Sequence, residues 1–186
     1  MRTALIVVLA ALALAGCYAS KALLLDPRQA VQPLAVGTFS DPKQEGVLLD
    51  VSLEPNGWYR FYEIGDKTVG HVLFTPLKGQ DRILAFAYSE KPDGYLYGLA
   101  YKGDDGMIHL GATSCSVDAA RKAAEAHNAV ITQGLGSNCE FKTKADLQGA
   151  LADYAKDWNW REDAVSLPAA EPARAREPHA RRGRPT

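Results

Sequence analysis

Between Gly46 and Thr113 the chain alternates apolar and polar residues with a period of two, and turn-forming residues interrupt the alternation at short intervals. Successive side chains of a strand point to opposite faces, so this pattern excludes a helical bundle and predicts an antiparallel meander. Val47, Leu49, Val51 and Leu53 share one strand face, and Pro55-Asn56-Gly57 then supplies residues that accept the left-handed backbone of a tight turn. Strands are expected over 58–64, 68–77, 82–89, 95–102 and 107–113, divided at Gly65-Asp66-Lys67, Lys78-Gly79-Gln80-Asp81, Pro92-Asp93-Gly94 and Gly103-Asp104-Asp105-Gly106. Loops this short place neighbours in sequence side by side in space.

Stretches such as Leu84-Ala85-Phe86-Ala87-Tyr88 are apolar on both faces, so something besides water must cover one of them. The covering elements follow in the chain. A helix is predicted over 117–127, capped by Ser114 or Ser116, with Asp118 in its first turn and Asn128 at its end. Its many alanines allow a close approach to the sheet. Short strands over 130–132 and 139–141 flank the Gly134-Leu135-Gly136-Ser137-Asn138 turn. Thr143 followed by Asp146 is a near capping box and opens a second helix, whose Leu147, Leu151, Tyr154 and Trp158 form one buried stripe. The expected class is α+β: an antiparallel meander of about six strands with two C-terminal helices packed on it.

The beginning of the chain is an address. Met1-Arg2-Thr3 is a short positive end, residues 4–13 are apolar, and Leu14-Ala15-Gly16 are small residues before Cys17. This order is that of a secretory leader, and about ten apolar residues fall short of the ~20 needed to span a bilayer. Leu14-Ala15-Gly16-Cys17 resembles the lipobox of bacterial lipoproteins. The resemblance implies cleavage before Cys17, a diacylglycerol on its thiol and an acylated amino group; two or more acyl chains make such attachment stable. In Gram-negative members, Asp after the cysteine favours the inner membrane. Tyr18 stands there, which implies the outer membrane, facing the periplasm. Ala13-Leu14-Ala15 offers a rival cut that would release a soluble protein beginning at Gly16.

With Cys17 acylated, Cys115 and Cys139 remain as an even pair in an oxidising compartment, and a disulfide between them is expected. The domain plan is then a leader over 1–16, a lipidated N-terminus and exposed tether over 17–45, one domain over 46–164 and a disordered Arg, Pro and Ala-rich tail over 165–186. Within the tether, Leu23-Leu24-Leu25 is expected to pack on the domain, and Pro33 to Phe39 to add an edge strand. Residues 17–164 carry 15 Lys and Arg against 20 Asp and Glu, a net of −5, whereas the tail carries five Arg against two Glu. An acidic body with an export signal gives no support for nucleic-acid binding.

No chemical motif stands out. The four histidines (71, 109, 127, 179) lack ligand spacing, so no metal or cofactor is expected, and His71 and His109 read as half-exposed strand residues. Gly134-Leu135-Gly136 lacks the context of a dinucleotide loop. Cys115 near His109 suggests a thiol nucleophile less well than it suggests a disulfide partner. Asp104-Asp105 sits in a glycine-flanked turn, where solvation explains it. Trp58, Tyr59, Tyr62, Tyr95, Tyr97 and Tyr101 are the candidate binding surface, because alternation turns some aromatics outward and aromatics give large contact area at low entropic cost. The expectation is a non-enzymatic binding or scaffolding role toward another envelope protein or cell-wall material. Two alternatives stand beside it: a ligand-sequestering or inhibitory module with the sheet curled toward a barrel, and a hydrolase in which His71 or His109 meets a carboxylate and a nucleophile.

Overall fold

The structure, a computed structural model, describes residues 17–40, 48–64, 69–89, 94–132, 138–159 and 165–170. The small residues expected to form a lipobox before Cys17, the turns at 65–67, 92–93 and 134–137, Trp160 and the arginine tail lie outside the described residues. The class is α+β: among the described residues eleven strands form one mostly antiparallel sheet, with two α-helices. The strands are β1 (Tyr18–Ser20), β2 (Gly37–Ser40), β3 (Leu48–Leu53), β4 (Tyr59–Glu63), β5 (Val69–Pro76), β6 (Ile83–Ser89), β7 (Tyr95–Lys102), β8 (Met107–Ala112), β9 (Val130–Thr132), β10 (Asn138–Glu140) and β11 (Val165–Pro168). The helices are α1 (Asp118–Ala126) and α2 (Lys144–Tyr154).

The hairpin chain β3 to β8 is the meander that alternation predicts, and each strand pairs antiparallel with the next. Five strands extend it. β2 pairs with β3, β11 pairs with β8, and β1 enters between β7 and β10, antiparallel to the first and parallel to the second. β7 forks: Tyr95–Tyr97 face β1, while Gly98–Lys102 face β8.

The sheet also returns to its own start. Ala35 N–H donates to the Pro168 carbonyl at 3.0 Å, Ala170 N–H donates to the Pro33 carbonyl at 2.7 Å, and Leu34 bridges Ala169. Pro33–Ala35 runs directly into β2, so the path β2–β3–β4–β5–β6–β7–β8–β11 closes as an eight-membered ring. Eight strands enclose an interior that side chains fill. Leu34, Leu49, Val51, Tyr59, Phe61, Val72, Phe74, Leu84, Phe86, Tyr88, Ala100, Ile108 and Leu167 form that buried cluster. Its rings meet, with Tyr59 and Phe74 5.8 Å apart edge to face and Phe74 and Phe86 6.1 Å apart. Gly98 makes room for this: a Cβ there would lie 2.5 Å from Phe86 and 2.4 Å from the Gly111 carbonyl.

The opposite face of β5, β6 and β7 carries Leu73, Ala85, Ala87, Tyr97 and Leu99 into a second cluster with both helices, Tyr18 and the Cys115–Cys139 disulfide. Thr143 caps α2 as the sequence predicts, accepting the Asp146 N–H at 3.1 Å. Capping of α1 differs from expectation. Val117 occupies the cap position without a side-chain bond, and Ser114 and Ser116 bond each other instead. Asn128 does end α1, at a φ of 57°. The two helices meet closely where His127 lies over Gly149 and bonds Asp153 at 2.8 Å.

Two parts of the domain plan are corrected. The expected tether over 17–45 is structural across its described part: Tyr18 is fully buried, and Leu25 and Leu34 are core. Two tyrosines hold it. Tyr59 Oη donates to the Leu34 carbonyl at 3.0 Å and accepts its N–H at 3.2 Å, while Tyr97 Oη bonds Ser20 Oγ at 2.6 Å and accepts the Leu24 N–H at 3.0 Å. The tail expected to begin at 165 starts as strand, with Leu167 buried, because β8 would otherwise leave an unpaired edge.

Candidate functional site

Of the six aromatics predicted to form a surface, Tyr59 and Tyr97 do not belong to one. Each is 1 % exposed, and burial pushes both phenols above their ordinary pKa. Their hydroxyls serve the backbone of residues 20–34. The signal that separates them from surface tyrosines is strand parity combined with an extended segment elsewhere that needs partners, and the second half of that signal is not local. Trp58 and Tyr95 form a half-buried pair 6.3 Å apart at the border of the helix-side cluster. Tyr101 lies 6.3 Å from the His109 ring, with the Arg82 guanidinium 5.1 Å above it.

Tyr62 has different neighbours. On the outer wall of β2 to β5 the register sets two cross-strand rows: Thr38, Asp50, Tyr62 and Val69 in one, Ser52, Arg60, His71 and Ser89 in the other. None of these residues belongs to either buried cluster, and each is half-buried or exposed. Arg60 lies 5.5 Å over the Tyr62 ring, Thr38 Oγ1 donates to Asp50 at 3.4 Å, and His71 sits 3.5 Å from Glu54. A panel that offers a cation, carboxylates, hydroxyls and an aromatic face suits recognition of a polar partner by stacking and hydrogen bonds.

His109 departs from expectation, being only 6 % exposed. Its Nδ1 lies 2.9 Å from Ser166 Oγ, directly across the β8–β11 ladder, and its Nε2 lies 3.2 Å from Asp105 Oδ2. The Met107 N–H and then the nearby imidazole hold the Asp105 carboxyl below the ordinary value. Gly103 is required here, since a Cβ would come within 2.2 Å of Asp105 Oδ1 and 2.7 Å of His109 Nε2. Hydroxyl, imidazole and carboxylate in a chain are the parts of an activated serine. A buried ring between a hairpin and a ring-closing strand also cross-links the two, and the β8–β11 register makes that contact without further cost.

Cys17 begins β1. Its N–H donates to Asn138 Oδ1 at 3.2 Å and its carbonyl accepts the Cys139 N–H at 3.2 Å. Tyr18 pairs with Cys139, so the two share a face, and alternation turns the Cys17 side chain to the other. That geometry separates its thiol from the Cys115–Cys139 bond. Burial pushes the thiol up to about 11, which makes it a poor nucleophile once the strand is docked. Among the described residues no helix is long and apolar enough to cross a membrane, and no group of three candidate metal ligands is found. Neither protein-family models, nor curated proteins, nor solved structures contain a match to this chain.

Proposed function

We propose that this chain is a lipid-anchored bacterial envelope protein, held at the outer membrane on the periplasmic side, that binds another envelope protein or cell-wall material without catalysis. The lipobox-like Leu14-Ala15-Gly16-Cys17 supports the address. One observation supports the binding role: the two ordered rows around Arg60 and Tyr62 project from the outer face of β3 and β4, to which neither core cluster extends. The ring interior supports sequestration less well, because its aromatic rings contact each other.

A photocrosslinking amino acid at Thr38, at the outer end of one panel row, tests the role in intact membranes, with the same probe at Asp104 as control. Crosslinks to one protein or to cell-wall fragments are expected at Thr38 alone. Arg60→Ala or Tyr62→Ala should lower their yield about tenfold, the effect of losing one central contact of 1–2 kcal/mol. Unchanged yield in both variants would remove the panel from the account. A second reading, ester hydrolysis, rests on the Ser166–His109–Asp105 contacts. Turnover of a p-nitrophenyl ester that disappears in Ser166→Ala would replace the binding reading with it.

A further inference from the structure

The residue marked for acylation is already in the sheet. Cys17 is fixed through its own N–H and carbonyl, Tyr18 N–H donates to the Thr113 carbonyl at 3.0 Å, and the buried Tyr18 ring packs 4.9 Å from Phe141. Freeing β1 would expose that ring and strip both β7 and β10 of a partner. Cys17 makes these bonds with its own backbone atoms, and an acylated amino group keeps one N–H for the Asn138 side chain. Only the side chain, 1 % exposed in the full-length chain, must turn outward to carry acyl groups. Covalent attachment then leaves no more than about 3.5 Å of chain per residue between lipid and fold.

The ring of strands turns this into an orientation. β1 lies against β7, and β3 is four strands from β7 in either direction, by way of β6, β5 and β4 or of β8, β11 and β2. An eight-strand barrel is roughly 15 Å across between backbones. The anchor and the panel therefore occupy opposite walls.

Resting on the proposed function above, we propose that the lipid anchor has no linker: β1 holds the β7 side of the barrel, with Ser116 and Thr132, against the bilayer surface and presents the Asp50–Arg60–Tyr62 panel to the compartment. The partner on the anchor side is the lipid headgroup layer itself. Tight mounting of this kind gives the panel a fixed height and aspect, where a 29-residue tether over 17–45 would have let it wander.

The test uses the full chain purified from membranes and reconstituted in phosphatidylcholine vesicles doped with headgroup-nitroxide lipid. With Cys17 acylated and the disulfide intact, a dye can be placed on Thr132→Cys or Ser52→Cys. Several-fold stronger quenching at 132 than at 52 is expected. A ~20-residue Gly/Ser insertion between Cys17 and Tyr18, ~25 Å in mean span, should erase the difference. Equal quenching at the two positions without the insertion would overturn the mounting while leaving the anchor. An intact mass without acyl groups, together with loss from the vesicles, would overturn the anchor and the mounting together.

Discussion

On one side of β5, β6 and β7 the sheet closes over its own side chains; on the other it relies on two helices, a disulfide and the strand nearest the N-terminus. The barrel interior holds the large rings of Phe74, Phe86, Tyr59 and Tyr88, with Phe86 seated over Gly98 and Tyr88 over Gly70 on the neighbouring strands. The helix side is built from Ala120, Ala123, Ala124 and Ala150, with bulk supplied by Tyr18, Phe141, Leu147 and Leu151. Small residues bring the helices close but bury less apolar area each, so the second body has more need of a covalent clip. The strands between the bodies are common to both. Damage to the barrel should therefore reach the helices, whereas damage to the helix side can stay local.

The largest expected effect breaks the comparison from the barrel side. Phe74 is fully buried at the centre of the interior rings, and Phe74→Ala should cost about 3–5 kcal/mol through lost transfer energy and a residual cavity. Urea unfolding followed residue by residue through the amide resonances of β4 and of α2 should show both sets moving to the same lower midpoint. Separate midpoints would mean that the bodies are independent and that the shared strands do not couple them.

Removing the disulfide probes the other side. Cys115 and Cys139 lie 24 positions apart and bracket α1 and β9, and opening that loop should cost ~3 kcal/mol in the chain-entropy account. In a Cys115→Ala, Cys139→Ala double variant, hydrogen exchange should accelerate in α1, β9 and β10 before it accelerates in β4 to β6. Uniform acceleration across the sheet would show that the barrel depends on the clip as well.

These two bodies differed in how plainly the chain announced them. Alternation and Gly, Asn and Asp turns made β3 to β8 legible, and Thr143 with Asp146 located the start of α2, because all of these signals are local. The disulfide followed from cysteine parity. Strand β1 was hidden: three residues after an apolar stretch carry no alternation to count, and their partners lie about 77 and 121 positions away. β11 was hidden by the Pro and Ala around it, and with it the closure of the ring. The same non-local contacts removed Tyr59 and Tyr97 from the expected surface and buried His109, which was expected to be half exposed. Tyr62 stayed outside, since its partners on β3 and β5 are those the meander already implies.

The smallest expected effect sharpens the contrast through acid. Two carboxyls help join α1 to α2. Thr143 and then Asn128 hold Asp146 below the ordinary carboxylate value near 3.8, and Lys156 and then His127 do the same for Asp153. A depressed folded pKa means that the unfolded chain takes up protons first. These contacts therefore stabilise fully above the ordinary value and are lost as pH falls through the lower folded one. Both carboxyls are solvent-facing, so the loss should be smaller than that from opening the disulfide. Between pH 5 and pH 3, α1 and α2 amides should lose protection while the interior strands β5 and β6 keep theirs, and Asp146→Asn with Asp153→Asn should flatten that dependence. Asp105 supplies the internal check, because its depressed carboxyl lies at the β7–β8 hairpin beside His109. If acid loosens β8 and β11 as early as the helices, that hairpin contact governs the ring closure, and the barrel is the acid-sensitive body rather than the resistant one.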